Sequence, residues 1–194
     1  MRIGIDFDNT IICYDKAFNK AGVSCGLIPE DLPIGKGFVR DFLRNKGLEE
    51  KWIWLQGYIY GTRLCDATIY SGFRHFLDRC RKFKIECFIV SHKTVYPYSG
   101  DPYNLHEAAR EWVLNERLEV ETYFELTKEN KIDRICKLGC THFVDDLPEF
   151  LSLKGFPPAI EKILFDPKNM HIQTYPEMLR CGSWDEIINF LKLQ

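Results

Sequence analysis

The chain has 194 residues, 45% hydrophobic and 28% charged, with 26 Lys and Arg against 28 Asp and Glu for a net charge of −2. That length accommodates one full domain with a modest insertion, and the composition excludes a disordered chain. The charge balance removes the electrostatic case for a nucleic-acid polymer or a membrane surface as partner; with no run near the roughly 20 apolar residues of a membrane span and Asp6 interrupting any secretory core, a cytoplasmic protein is expected.

Taken in chain order, Arg2-Ile3-Gly4-Ile5-Asp6-Phe7 reads as a short buried strand ending in polar residues. Residues 14–70 differ in character: glycines and prolines come first, then helical pattern, with Val39, Phe42 and Leu43 on one face. Lys36, Arg40 and Arg44 fall at i, i+4, i+8 on another face. Phe73, Phe76, Leu77 and Cys80 form a helix stripe, and Ile85–Val90 is a core strand that runs into Ser91-His92. Tyr96–Tyr103, rich in Pro, Gly and Tyr, is a loop. Asn104-x-x-Glu107 predicts a capped helix through about Leu118, and a second helix fits Asn130–Leu138 before Gly139. Thr141–Val144 is a third strand ending at Asp145-Asp146, Ile160–Phe165 a fourth, and Ser183-Trp184-Asp185-Glu186 starts a C-terminal helix. Strands alternating with helices predict an α/β protein with a doubly wound, Rossmann-like parallel sheet. The boundaries are 1–13 and 71–194 for this core, with 14–70 as an inserted helical cap. The eight cysteines include no C-x-x-C pair and read as reduced, mostly buried thiols, with a structural zinc site the alternative.

Three predicted strands end in reactive polar residues: Asp6-Phe7-Asp8-Asn9-Thr10, Ser91 and Asp145-Asp146. A parallel sheet gathers such ends at one edge, where ligands bind. Four carboxylates there repel one another unless a cation neutralises them, and oxygen-only ligation suits Mg²⁺. In an extended strand Asp6 and Asp8 share a face. A bend beyond them leaves one carboxylate as nucleophile and the other for proton transfer.

These residues resemble a known family. Asp6-Phe7-Asp8-Asn9-Thr10 is similar to the D-x-D-x-T signature of the haloacid dehalogenase (HAD) superfamily, in its phosphatase-type members. Ser91 resembles the second motif, Lys131 the third (with Lys128 and Lys137 nearby competitors), and Asp145-Asp146 the fourth in its D-D form. The insertion after the first motif resembles the family's C1 type of cap. The resemblance implies that Asp6 attacks phosphorus to give an aspartyl-phosphate and that Asp8 is the acid/base. It implies that Thr10, Ser91 and Lys131 hold phosphate oxygens. Mg²⁺ would be held by Asp6, the backbone carbonyl of Asp8, Asp145 and Asp146. The expected activity is hydrolysis of a small phosphorylated metabolite, a sugar phosphate or nucleotide. Phosphoryl transfer to another acceptor and a non-catalytic phosphate-binding module are the alternatives. His92, Lys36, Arg40 and Trp52 are further substrate-contact candidates, with Trp54, Tyr58 and Tyr60 near enough to stack on a base or sugar. Each has a plainer reading as a turn histidine, a solvated helix face or packing inside the cap.

Overall fold

The first apolar run forms β1 (Arg2–Ile5) at the middle of a six-stranded parallel sheet in the computed structural model, which describes residues 1–171 and 175–194. Its companions are β2 (Glu86–His92), β3 (Glu121–Glu125), β4 (His142–Asp145), β5 (Glu161–Phe165) and β6 (Leu179–Cys181). The spatial order is β3-β2-β1-β4-β5-β6. β1 pairs in parallel with β2 (Ile5 opposite Ile89) and with β4 (Ile5 opposite Val144). The chain winds outward from β1 through β2 and β3, then outward on the other side through β4, β5 and β6. The winding reverses direction between β1 and β4, and the carboxyl ends of the strands at such a reversal are the usual ligand position of these sheets.

Helices cover both faces. Ile132 and Ile135 of α6 (Lys128–Lys137) and Phe150 and Leu151 of α7 (Pro148–Leu151) pack with Phe88, Val90, Phe143 and Leu164. On the opposite face α4 (Phe73–Lys82) and α8 (Trp184–Phe190) enclose an aromatic group. Trp184 lies 4.8 Å from Phe73, 4.8 Å from Phe76 and 5.3 Å from Phe165, centroid to centroid. Leu164 and Phe165 thus point to opposite faces, as a strand buried on both sides requires. Each such side chain contributes about 1.5–3 kcal/mol of burial.

The four strands predicted from sequence are the four inner ones. The six-stranded sheet's other two strands, β3 and β6, are its edges; a separate two-stranded sheet pairs Ile12–Cys13 with Thr68–Ile69. β3 reads Glu-Thr-Tyr-Phe-Glu and β6 has three residues, so neither presents the continuous apolar run that marks a strand covered on both sides. Helix α6 starts at Lys128, two residues before the predicted position, because Thr127 caps it by accepting from the Asn130 N–H at 3.1 Å. Asn104 caps α5 (Leu105–Asn115) as predicted, accepting from the N–H groups of His106 and Glu107.

The chain divides into two compact units: Met1–Ile11, Ile69–His92 and Val120–Gln194 form the sheet unit, Ile12–Thr68 and Lys93–Glu119 the helical one. The helical unit contains α1 (Asp15–Ser24), α2 (Lys36–Asn45), α3 (Glu49–Thr62) and α5. It runs 12–68 where 14–70 was expected, and it adds the segment 93–119. The reason lies on α3: an added Cβ at Gly57 would meet Pro97 at 2.6 Å, and one at Gly61 would meet Tyr103 at 2.5 Å. Two missing side chains let the loop before α5 lie directly on α3. All eight cysteines are free; Cys80, Cys140 and Cys181 are buried, but Cys25, Cys65 and Cys136 are exposed, so burial does not account for the thiols generally. Among the described residues no helix is long and apolar enough to cross a membrane.

Candidate active site

β1 ends at Ile5, but the Asp6 N–H still donates to the Val144 carbonyl at 2.8 Å. This last ladder bond fixes the Asp6 backbone beside the end of β4. The chain then turns sharply. The Ile11 N–H donates back to the Phe7 carbonyl at 3.1 Å, and Asn9 adopts φ 59°, a left-handed conformation that asparagine tolerates better than most residues. Asp8 and Asn9 are half-buried in this turn, while Thr10 is fully buried. The shared strand face expected for Asp6 and Asp8 therefore does not exist. The strand stops before both, and the turn sets their relative placement.

Asp6 is 5% exposed, and its Oδ1 accepts two hydrogen bonds, from Ser91 Oγ at 2.8 Å and from Lys131 Nζ at 2.6 Å. Ser91 lies within β2. Lys131, one turn into α6, also donates to Asp145 Oδ2 at 2.6 Å and lies 4.0 Å from the Phe150 ring centroid. Asp145 is the last residue of β4, and its Oδ1 accepts from the Leu147 N–H at 2.9 Å. Asp146 completes the group: carboxylate oxygens of Asp6, Asp145 and Asp146 lie within 4.8 Å of one another. Three strand ends and one helix thus deliver Asp6, Ser91, Lys131, Asp145 and Asp146 to one place. Lys128, by contrast, sits half-exposed at the start of α6.

The electrostatics follow from burial. Burial acts to lower the Lys131 ammonium, but the carboxylates of Asp145 and Asp6 outweigh it and raise it above the ordinary lysine range. Burial pushes the Asp145 carboxyl up to about 7, against the opposing pull of Lys131. One ammonium cannot balance three carboxylates, and the excess of two negative charges matches a small divalent cation with oxygen ligands. The donor set therefore fits Mg²⁺. The side chain of Asp8 is outside this group of three. The Thr10 hydroxyl is a second indication of a ligand: it is buried with no hydrogen-bond partner among the described residues. Such a group normally finds a partner.

The remaining candidates have partners of their own. His92 is half-buried, and its Nε2–H donates to the Leu126 carbonyl at 3.1 Å, which ties the ring to the loop after β3. Trp52 is a correction: at 3% exposure, with its ring 5.0 Å from Phe18, it belongs to the packing of the helical unit and offers no face to a substrate. Trp54 stacks on Tyr58 at 5.3 Å, and Tyr60 meets Tyr14 at 5.0 Å. Arg40 pairs with Asp41 at 2.8 Å, and Arg44 with Glu49 at 2.7 Å. Lys36 Nζ lies 5.7 Å from each of the Tyr14, Phe18 and Tyr60 centroids. Asp166, buried at the end of β5, was not among the expected residues. It follows the apolar run Ile163-Leu164-Phe165 just as Asp145 follows Phe143-Val144, and that pattern is its sequence signal.

No protein-family model matches the sequence, and no curated protein matches it. The fold, by contrast, is widely shared. A HAD-superfamily hydrolase from Ehrlichia chaffeensis superposes with a TM-score of 0.62 at 14% identity, covering 98% of this chain and 95% of that one. A HAD-superfamily hydrolase of subfamily IA from Geobacter sulfurreducens gives a TM-score of 0.55 at 16% identity, covering 98% and 95%. Protein Tyrosine Kinase A of Mycobacterium tuberculosis gives 0.65 at 14% identity, covering 98% and 97%. The molecule has the α/β fold of HAD-superfamily hydrolases.

Proposed function

We propose that this protein is a Mg²⁺-dependent phosphatase that hydrolyses a small phosphomonoester through an aspartyl-phosphate on Asp6. The observation that carries the reading is the convergence of Asp6, Asp145 and Asp146 around the buried ammonium of Lys131, at the carboxyl ends of β1 and β4.

Asp6 Oδ1 is held by Ser91 and Lys131, which leaves Oδ2 as the attacking oxygen. It forms a bond to phosphorus as the ester P–O bond breaks. The leaving alkoxide takes a proton from the Asp8 carboxyl. Asp8, now a carboxylate, accepts a proton from the water that hydrolyses the aspartyl-phosphate, returning Asp6. The Thr10 hydroxyl and the Lys131 ammonium supply donors for phosphate oxygens as charge develops, and the Ser91 hydroxyl joins them only when its one hydrogen turns from Asp6 Oδ1. Asp6, the Asp8 backbone carbonyl, Asp145 and Asp146 would hold Mg²⁺, which supplies positive charge against the phosphate and the carboxylates. The burial of Trp52 removes the strongest aromatic argument for a nucleotide, so the substrate class stands as a small phosphomonoester.

Asp6→Asn should reduce Mg²⁺-dependent phosphate release to background across a panel of sugar phosphates and nucleoside monophosphates, with the fold intact by circular dichroism. Undiminished turnover by that variant rejects the mechanism. Because a protein named as a tyrosine kinase shares the fold, the fold alone does not select water as acceptor. Transfer from the same aspartyl-phosphate to an added alcohol would show as product partitioning and would favour a phosphotransferase. Protein that binds Mg²⁺ and phosphate but turns over nothing in the panel would instead be a non-catalytic phosphate-binding module.

A further inference from the structure

β5 ends as β4 does, on a buried aspartate, and the chemistry above does not use it. The Asp166 N–H donates to the Cys181 carbonyl at 2.8 Å, so the residue is still held in the sheet beside β6. Its carboxylate is turned back on the chain that follows. Oδ1 accepts from the Met170 N–H at 2.8 Å, Oδ2 accepts from the His171 N–H at 3.0 Å, and Arg180 Nη2 pairs with Oδ2 at 2.6 Å. Asn169, at φ 54°, makes the turn, its N–H donating to the Asp166 carbonyl at 3.2 Å. Burial acts to raise this carboxyl, but the two backbone N–H groups and Arg180 outweigh it and hold it below the ordinary carboxylate range. The segment 166–171 is therefore a closed turn built around one ionised carboxylate.

What that turn presents is the His171 ring. Its Nε2 lies 3.2 Å from the main-chain carbonyl of Asp146. A carbonyl only accepts, so Nε2 carries the hydrogen. The bond falls on the peptide of one of the three clustered carboxylates, immediately after Asp145. Asp145 is anchored by the sheet, by Lys131 and by the Leu147 N–H. The Asp146 main chain lies beyond the end of β4, and His171 ties it down from the neighbouring strand's loop.

We infer that Asp166 and His171 are a positioning pair for the cation-binding carboxylates: Asp166 shapes the turn, and His171 fixes the Asp146 peptide so that its side chain stays with Asp6 and Asp145. This rests on the reading of that cluster as a Mg²⁺ site. Partners of this kind, one bond removed from a metal ligand, typically govern affinity by tenfold or more.

The test is a titration of the full chain, stripped with EDTA, with Mn²⁺ as the probe and free Mn²⁺ counted by its paramagnetic resonance signal. Wild type, His171→Ala and His171→Gln are compared, each checked for folding by circular dichroism. The alanine variant should bind Mn²⁺ about tenfold more weakly. The glutamine variant, whose amide N–H can donate to the same carbonyl, should recover to within about threefold of wild type. Unchanged affinity in the alanine variant overturns the inference and leaves the metal reading standing, and so does an equal loss in both variants. If the alanine variant does not fold, the glutamine variant decides: recovery supports the inference and a tenfold loss overturns it. Wild-type protein that binds no Mn²⁺ overturns the metal reading and the inference with it.

Discussion

The Thr10 hydroxyl is buried without a partner among the described residues, a state that costs a folded protein about 1–3 kcal/mol. Sites that accept such a cost are commonly functional, because the missing partner arrives with the ligand. Thr10→Val should therefore separate stability from activity. We expect the variant to be about 1–2 kcal/mol more stable to urea, while kcat/KM for the best phosphomonoester falls at least about tenfold. Lower stability with unchanged turnover would show that the hydroxyl serves the fold alone. The residues that converge were legible in the sequence because each stands where backbone geometry is predictable: at the end of an apolar run that forms a strand, or in the first turns of a helix. Lys131 separates from Lys128 only once the true start of α6 at Lys128 is known. For Trp52 the sequence leaves substrate contact and packing both open, and the structure selects packing. An aromatic side chain has the same identity whether it stacks on a ligand or fills a core, and only its burial against Phe18 distinguishes the two.

Elements differ in how clearly their residues announce them. The four inner strands lie under helices on both faces, so their apolar runs are continuous; the edge strands β3 and β6 lack that requirement and lack the signal. β1 carries a further constraint. A Cβ at Gly4 would lie 2.5 Å from the Phe143 ring and 3.2 Å from Cys140 Sγ. The glycine is there to let β4's aromatic residue lie against the strand, since Phe143 also packs with Phe150 and Phe156. Gly4→Ala should destabilise by about 1–3 kcal/mol, the usual cost of overpacking, measured as a lower urea midpoint. A neutral result would mean the Phe143 ring can move aside. The insertion, in turn, was legible only in part. Its Gly- and Pro-rich opening interrupts the strand and helix rhythm, which sequence can show. The packing of 93–119 with it depends on two glycines of α3 meeting a distant loop, which no local pattern encodes.

At the scale of the whole molecule, a cation held by Asp6, Asp145 and Asp146, as proposed, would join native-state contacts that the unfolded chain cannot reproduce. Anything binding only the native state stabilises it, by about 2.7 kcal/mol at a hundredfold excess over the dissociation constant. For a chain of this length that corresponds to a rise of about 5–10 °C in the unfolding temperature. Mg²⁺ added to EDTA-treated protein should produce it in a thermal melt, and Asp145→Asn should largely abolish it. An identical shift in that variant would place the cation elsewhere. The central position of β1 has a consequence of another kind, for the order in which the protein can fold. Ile3 finds its neighbours in Cys87 on one side and His142 on the other, both far along the chain. A nascent chain emerging from the ribosome therefore carries this strand with one edge unpaired until Glu86–His92 is made and the other unpaired until His142–Asp145 is made. Parallel pairing over such distances is slow, and unpaired strand edges invite association with other chains. The strand that places Asp6 is made before both of its neighbours and is secured on its second edge only by β4, so productive folding depends on keeping it apart from its own copies until β4 has been made.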